Sequence, residues 1–395
     1  MIVKAGVLYD NGAEKWLPPT NQKIKMKKFF TGEEKIKQQV LNNMKKAEKK
    51  TSLQKSQGLK LTDLGEFGFI ARFSPAFLAG LPQNIKGIGD DCAVIPWQGR
   101  KRLLVTTDLL VEGVHFLKER IPAEDLGYKS LAVNLSDLAA MGGRPRFAFL
   151  SLAIPPETEI TYLDNFFRGW QELSRQTGVY LLGGDTTRSL EKLVINVAVL
   201  GEARTPFIKY RSEARAGDII AVTGPLGDSE GGLRLILSGQ MGKKLSAAEH
   251  YLIRRHYRPR PHLEEGWFLA HQPEVRAMMD VSDGIDSDLR RIIEQSGCGV
   301  EVNLEKLPVS EELRACAQKY GWNLEEVAAA GGEDYCLLLT VASEKFPALK
   351  RKFHQRFRRS LADIGRITSR KGKQVYLKNG QRVELKKSGF DHFKT

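Results

Sequence analysis

Residues 87–92 read GIGDDC. Two adjacent carboxylates, Asp90 and Asp91, follow a glycine-x-glycine turn in a chain of formal charge +14. Alone, the stretch fits a solvated turn. It reads differently beside VTTD (105–108), LLGGD (181–185) and MMDVSDG (278–284). In each, an apolar run meets small residues and an acid, which predicts acids at strand ends. Residues in such places line ligand sites in α/β folds. NLSD (134–137) falls on a helical pattern instead, and Glu333 sits in AAAGGEDY (328–335).

Between these stretches, strand and helix patterns alternate. RLLVTTDLL, RFAFLSLAI, VYLLGGD and KLVINVAVLGEA read as strands. AEDLGYKSLAVNLSDLAAMG (123–142) and TYLDNFFRGWQELSRQTG read as helices closed by glycine. After RSEARAGD a second block repeats the mixture, from DIIAVTG to QVYLKNG. The expectation is an α/β (α+β) chain of two domains, 61–205 and 206–395, with the boundary between Gly201 and Arg211.

The 395 residues are 42% hydrophobic, enough for two buried cores. Residues 1–60 hold 14 lysines, no arginine and 5 acids, so nine of the fourteen excess charges sit there. We read this stretch as a basic extension, in which Ile36, Val40, Leu41 and Met44 share a helical face. Nucleic-acid contact by this tail is the less favoured reading, because the basicity is local. Cys92, Cys298, Cys316 and Cys336 form no CxxC pair, which fits a reducing compartment. No signal-peptide core and no long apolar run is visible, so a cytoplasmic protein is expected.

Two carboxylates about 4 Å apart repel by roughly 4 kcal/mol at an effective dielectric near 20. Five or six acids in one cleft therefore call for cations. The candidate ligands are all oxygens, from Asp, Thr and Ser, which suits Mg²⁺ rather than zinc. Mg²⁺ held with few protein ligands points to a nucleoside triphosphate and phosphoryl transfer. Arg211 or Lys209 is positioned to supply positive charge to phosphates. No GxxxxGK[ST] occurs, and GIGDDC lacks the third glycine of a dinucleotide fingerprint.

Eight segments then carry a resemblance: GIGDDCAVI, TTDLLVEGVHF, AVNLSDLAAMGG, LLGGDTTR, VTGPLGDSEGGL, DVSDGIDSDL, GGEDYCLL and GFDHF. In this order they resemble the signature segments of thiamine-monophosphate kinase, from about Leu61 onward. The resemblance implies ATP-dependent phosphorylation of thiamine monophosphate to thiamine diphosphate, with Mg²⁺. It implies a fold similar to aminoimidazole ribonucleotide synthetase, paired in a homodimer through the first domain, with ATP in the cleft between domains. By the same resemblance, Asp91, Thr106, Thr107, Asp108, Asp137, Asp185, Asp280 and Asp283 are metal ligands. Gly184, Asp185, Arg211 and Ser282 contact ATP, and His115, Glu333 and Phe390 contact the acceptor. Asp90 is left unassigned. Sister enzymes of this fold are disfavoured: residues 1–86 lack the cysteine of selenophosphate synthetases, and the sequence ends in FKT rather than the cysteine of hydrogenase maturation proteins.

Overall fold

The computed structural model describes residues 60–79, 81–239, 244–385, 389 and 392. The basic extension 1–59, including Ile36, Val40, Leu41 and Met44, and also Phe390, lie outside the described residues.

Helix α1 (Leu61–Leu78) leads in, broken at Gly65, whose φ of 68° is left-handed. Strands β1 (Ala93–Pro96) and β2 (Lys101–Val111) follow, then α2 (Ala123–Ala140), β3 (Arg144–Ile154), α3 (Ile160–Thr177), β4 (Tyr180–Arg188) and β5 (Val194–Arg204). They form one sheet in the order β1-β2-β5-β3-β4, parallel only between β3 and β4. Its alternation is clear in β5, where Ile195, Val197 and Val199 are buried between half-buried neighbours. Helix α2 packs on β2, β3 and β5, and α3 packs on α2.

The second unit runs β6 (Ile219–Val222), α4 (Asp228–Leu237), α5 (Ala247–Tyr257), α6 (Leu263–Ala270) and β7 (Val275–Asp280). It continues with α7 (Ile285–Ser296), β8 (Gly299–Asn303), α8 (Glu311–Tyr320), α9 (Leu324–Ala330) and β9 (Leu337–Val341). Helix α10 (Phe346–Phe357), β10 (Ala362–Thr368), β11 (Gln374–Lys378) and β12 (Gln381–Val383) complete it. The sheet order is β12-β11-β8-β10-β6-β9-β7. IIAV in β6 and LLLTV in β9 are buried at every residue, as expected for central strands covered on both faces.

Helix α2 is the part shared by both units. Fourteen of its 18 residues are buried, so it is enclosed on all sides. Glycine makes this possible. A Cβ on Gly127 would stand 1.8 Å from the Phe166 carbonyl oxygen, and one on Gly169 1.7 Å from that of Glu124. A Cβ on Gly266 of α6 would meet the Ala139 carbonyl oxygen at 2.1 Å, which draws the second unit onto the same helix.

One expectation needs correction. The acids of VTTD and LLGGD were expected at strand ends, yet both lie inside strands. β2 continues through Leu109–Val111 because it stays registered with β5 as far as Val194. β4 continues to Arg188, opposite Ile154. Only Asp280 closes a strand.

The glycine contacts set a test. Gly169→Ala should lower unfolding stability by about 2 kcal/mol or more in urea denaturation, because backbone must move to admit the methyl. A change below about 0.5 kcal/mol would contradict the close helix approach.

Candidate active site

The site begins on α2, which is apolar enough to be buried yet carries four polar groups toward its neighbours. Lys129, Asn134 and Ser136 are 0% exposed. Each finds a partner on another element. Asn134 Oδ1 accepts from the Asp108 backbone N–H at 3.0 Å. Ser136 Oγ donates to Asp280 Oδ2 at 2.6 Å. Thr106 Oγ1 donates to Asp137 Oδ2. β1 pairs with β2 only as far as Val105, so the Asp108 N–H beyond it is left for Asn134. That short partner strand is why a mid-strand acid reaches the cleft.

Asp91, Asp137 and Asp280 each offer a carboxylate oxygen within 4.8 Å of the others. Burial, and then the charge of Asp91, pushes the Asp280 carboxyl up to about 8. Burial, then Asp108 and Asp280, pushes Asp137 well above the usual range. Asp108 and Asp283 are each pushed up to about 6, by burial first and then by Asp283 and Glu66 respectively. With Thr106 adding a hydroxyl, these acids form an oxygen-only donor set of the kind that suits a hard cation, which would relieve their mutual repulsion. Asp288 extends it: this buried residue is pushed up by burial and by Asp283 and Asp280, and its Oδ2 has no hydrogen-bond partner among the described residues. Sequence reading passed over Asp288, although DGIDSDL places it one turn inside α7. Cys92 lies against the same acids; burial and Asp137 raise its thiol well above the usual range, which keeps it un-ionised.

The opening pair of acids divides its labour. Asp91 takes Arg211 bidentately, Nε at 3.1 Å and Nη2 at 2.6 Å. Asp90 Oδ1 accepts from the Arg211 backbone N–H at 2.9 Å, and Lys86 pairs with its other oxygen. Asp90 therefore ties the GIGDDC turn to the segment entering the second unit. Lys209 does not face phosphates. Its ammonium donates to the carbonyls of Gln272 and Val275 at 3.2 and 2.6 Å, so it is consumed in joining elements.

Beside the acids opens a cavity of about 620 Å³, lined among others by Asp108, Ser282, Asp283, Lys129, His256 and Glu333. His115 and His392 also line it, their rings 4.9 Å apart. His115 Nδ1 accepts from the Val111 N–H at 3.0 Å; burial, then His392, lowers its pKa. Glu333 has a left-handed φ of 61°, and its N–H donates to the Ser282 carbonyl at 2.7 Å. This ties the Glu333 loop to the loop bearing Ser282 and Asp283.

Three expected residues stand apart. Thr107 alternates to the other face of β2, where its Oγ1 accepts from Asn196 at 2.9 Å. Gly184 and Asp185 lie on β4, three strands from β2, roughly 14 Å away by strand spacing. Asp185 registers with Ser151, on the sheet face that α2 leaves uncovered. Gly184 is a steric necessity, since a Cβ there would stand 1.6 Å from the Leu150 carbonyl oxygen.

Known proteins with this arrangement form a consistent group. AIR synthase related protein, N-terminal domain, matches residues 89–203, and its C-terminal domain matches 215–378. The thiamine-monophosphate kinase of Aquifex aeolicus is 38% identical over 337 residues, 85% of this chain and 100% of that protein. That of Escherichia coli K12 is 37% identical over 337 residues, 84% of this chain and 99% of that protein. The solved structure of AaThiL complexed with AMPPCP and TMP is 35% identical, with a TM-score of 0.74 over 85% of this chain and 100% of that one. A structure of the hydrogenase maturation protein HypE, 20% identical over 77% of this chain and 94% of its own, shares the fold at a TM-score of 0.59. By its two AIR synthase related domains and its likeness to these enzymes over nearly all of their length, the chain belongs to the thiamine-monophosphate kinase family.

Proposed function

We propose that the chain transfers the γ-phosphate of ATP to thiamine monophosphate, forming thiamine diphosphate and ADP, the last step of thiamine diphosphate biosynthesis. The observation that carries this is a cavity lined by Asp108 and Asp283 together with Glu333, His115 and His256, with Asp108 close to the buried group of Asp91, Asp137 and Asp280. AMPPCP, a non-hydrolysable ATP analogue, and TMP are bound together in the related AaThiL structure.

Asp91, Asp108, Asp137, Asp280 and Asp283, with Thr106, are the residues that would hold Mg²⁺. Several such ions would neutralise the triphosphate and stabilise charge on the transferring group. Arg211, fixed by Asp91, adds positive charge where the triphosphate enters, and Ser282 contacts the nucleotide. His115, Glu333 and Phe390 receive the acceptor. A phosphate oxygen of thiamine monophosphate forms a bond to the γ-phosphorus as the bond to the bridging β-oxygen breaks. ADP departs with that electron pair. The acceptor phosphate is largely dianionic near neutral pH, so no strong general base is needed. This chain's part is to align two anions and offset their repulsion.

The assembly we infer is a homodimer. β4 is an edge strand exposed along its whole length, and Phe147, Phe149, Tyr180, Leu181 and Leu182 are exposed on and beside it. An apolar sheet edge of this kind fits a second copy of the chain. Gly184, Asp185 and the Thr107 hydroxyl lie on this sheet, so their contribution to nucleotide and cation binding is read with the dimer assembled. Among the described residues no helix is long and apolar enough to cross a membrane, and we place the enzyme in the cytoplasm.

Three experiments test this reading. Asp108→Asn or Asp137→Asn should cut thiamine monophosphate turnover by ~10³-fold or more while circular dichroism stays native; near-normal turnover would sink the cation assignment. Leu182→Arg should give monomers in sedimentation velocity, and an unchanged dimer would contradict the interface. The third uses pH. Asp280 titrates near 3.8 unfolded and about 8 folded, so the folded chain binds more protons in between. Its contribution to stability is then lost as pH rises from about 4 to about 8. With a chelator the melting temperature should fall over that window. Saturating Mg²⁺ should raise it by roughly 5 °C near pH 8 and by less near pH 5.5. An equal shift at both values would contradict the picture.

A further inference from the structure

Lys129 is fully buried on α2 and has no part in the reading above. Its Nζ lies 2.9 Å from Glu333 Oε2. The same oxygen is 3.3 Å from His256 Nδ1, which is 3.0 Å from Ser229 Oγ. Burial, then Lys129, lowers His256 to about 3, so its ring is neutral at physiological pH. Of the groups facing Glu333 among the described residues, Lys129 comes from α2, His256 from α5 and His115 after β2, and both histidines are shifted toward the neutral form. Burial alone would push the Glu333 carboxyl up; the Lys129 ammonium, by its charge and its hydrogen bond, holds it below the ordinary range. The neighbouring Asp334 is turned away, accepting from the N–H groups of Gly227 and Ser229 at 2.6 and 3.2 Å.

The two oxygens of Glu333 are thus unequal. Oε2 is occupied by protein. Among the described residues no hydrogen bond reaches Oε1, and the side chain remains 27% exposed in the cavity. The backbone supports this aim. Glu333 and Tyr335 are both left-handed, and their N–H groups donate to the Ser282 and Val281 carbonyls at 2.7 and 2.9 Å. A Cβ on Gly332 would stand 2.5 Å from the Ser282 oxygen, so the two loops approach backbone to backbone here.

We infer that Lys129 is a positioning residue for acceptor recognition: its ammonium pins Glu333 Oε2, leaving Oε1 as an ionised acceptor aimed at the cationic, hydrogen-bond-donating end of the acceptor. This rests on the kinase reading. Thiamine monophosphate offers that chemistry in its positive thiazolium ring and, at the end opposite its phosphate, in the amino group of its pyrimidine. The kinase reading assigns ATP to Arg211 and Ser282 rather than to this carboxylate.

The test is a double-mutant cycle on the full chain, reading kcat and KM separately for thiamine monophosphate and for ATP. Lys129→Met should raise KM for thiamine monophosphate by ~10-fold or more, as expected for losing a charge-assisted acceptor, with KM for ATP within about twofold. Glu333→Gln should do the same. The double variant, lacking both buried charges, should fold and be no worse than Glu333→Gln. Lys129→Arg should recover most of the loss. A merely structural lysine would lower the melting temperature and leave KM for thiamine monophosphate unchanged, and that result overturns the inference. A double variant at least ~10-fold worse than Glu333→Gln also overturns it, even if Lys129→Met alone does not fold. A wild-type chain that fails to phosphorylate thiamine monophosphate would overturn the kinase reading itself, and this inference with it.

Discussion

The structure depends on the burial of one helix that is not purely apolar. α2 is enclosed by the first sheet, by α3 and by α6 of the second unit. A buried polar group without a partner costs about 1–3 kcal/mol, and a buried charge more. Lys129, Asn134, Ser136 and Asp137 therefore have to be matched, and their partners come from three places: Glu333, β2 through Asp108 and Thr106, and β7. Folding the two units together and assembling the site are the same event. Glycines 127, 169 and 266 allow backbone to approach closely enough for these bonds to form.

The acids express the opposite pressure. Polar matching draws Asp91, Asp137 and Asp280 together, and their charges resist it. Arg211 settles part of that conflict through Asp91. The remainder is stored as raised carboxyl pKa values, which bound cations and the nucleotide they carry would release. Strain of this kind is tolerated at functional sites when the surrounding structure over-determines it. Here the surrounding structure is α2 and the two loops tied through Ser282 and Glu333.

Much of this was legible in the chain. Alternating apolar runs gave the order of strands and helices, and repeated Gly/Thr/Ser-Asp stretches marked the acids. Their convergence was not legible, because it depends on contacts such as Ser136 to Asp280, 144 residues apart. The strand-end expectation failed at VTTD because a short β1, rather than the end of β2, opens the cleft. Asp90 and Asp91 look alike in sequence, and only the direction of each carboxylate separates the one that holds the Arg211 backbone from the one that holds its guanidinium among the clustered acids. Lys129 and Asn134 read as ordinary polar positions in a helical pattern. Nothing in spacing shows that a lysine will be fully buried against a glutamate 204 residues later. Lys209 misled for the same reason, since its partners are backbone carbonyls.

The central claim is that cations and phosphates meet at the carboxylates of Asp91, Asp137 and Asp280. The most direct measurement is a crystal structure with Mn²⁺, a non-hydrolysable ATP analogue and thiamine monophosphate, read by anomalous scattering. The account predicts anomalous peaks within coordination distance, about 2.0–2.3 Å, of those carboxylate oxygens, bridging them to the triphosphate. Peaks confined elsewhere, with the three carboxylates paired only to protein groups, would contradict it.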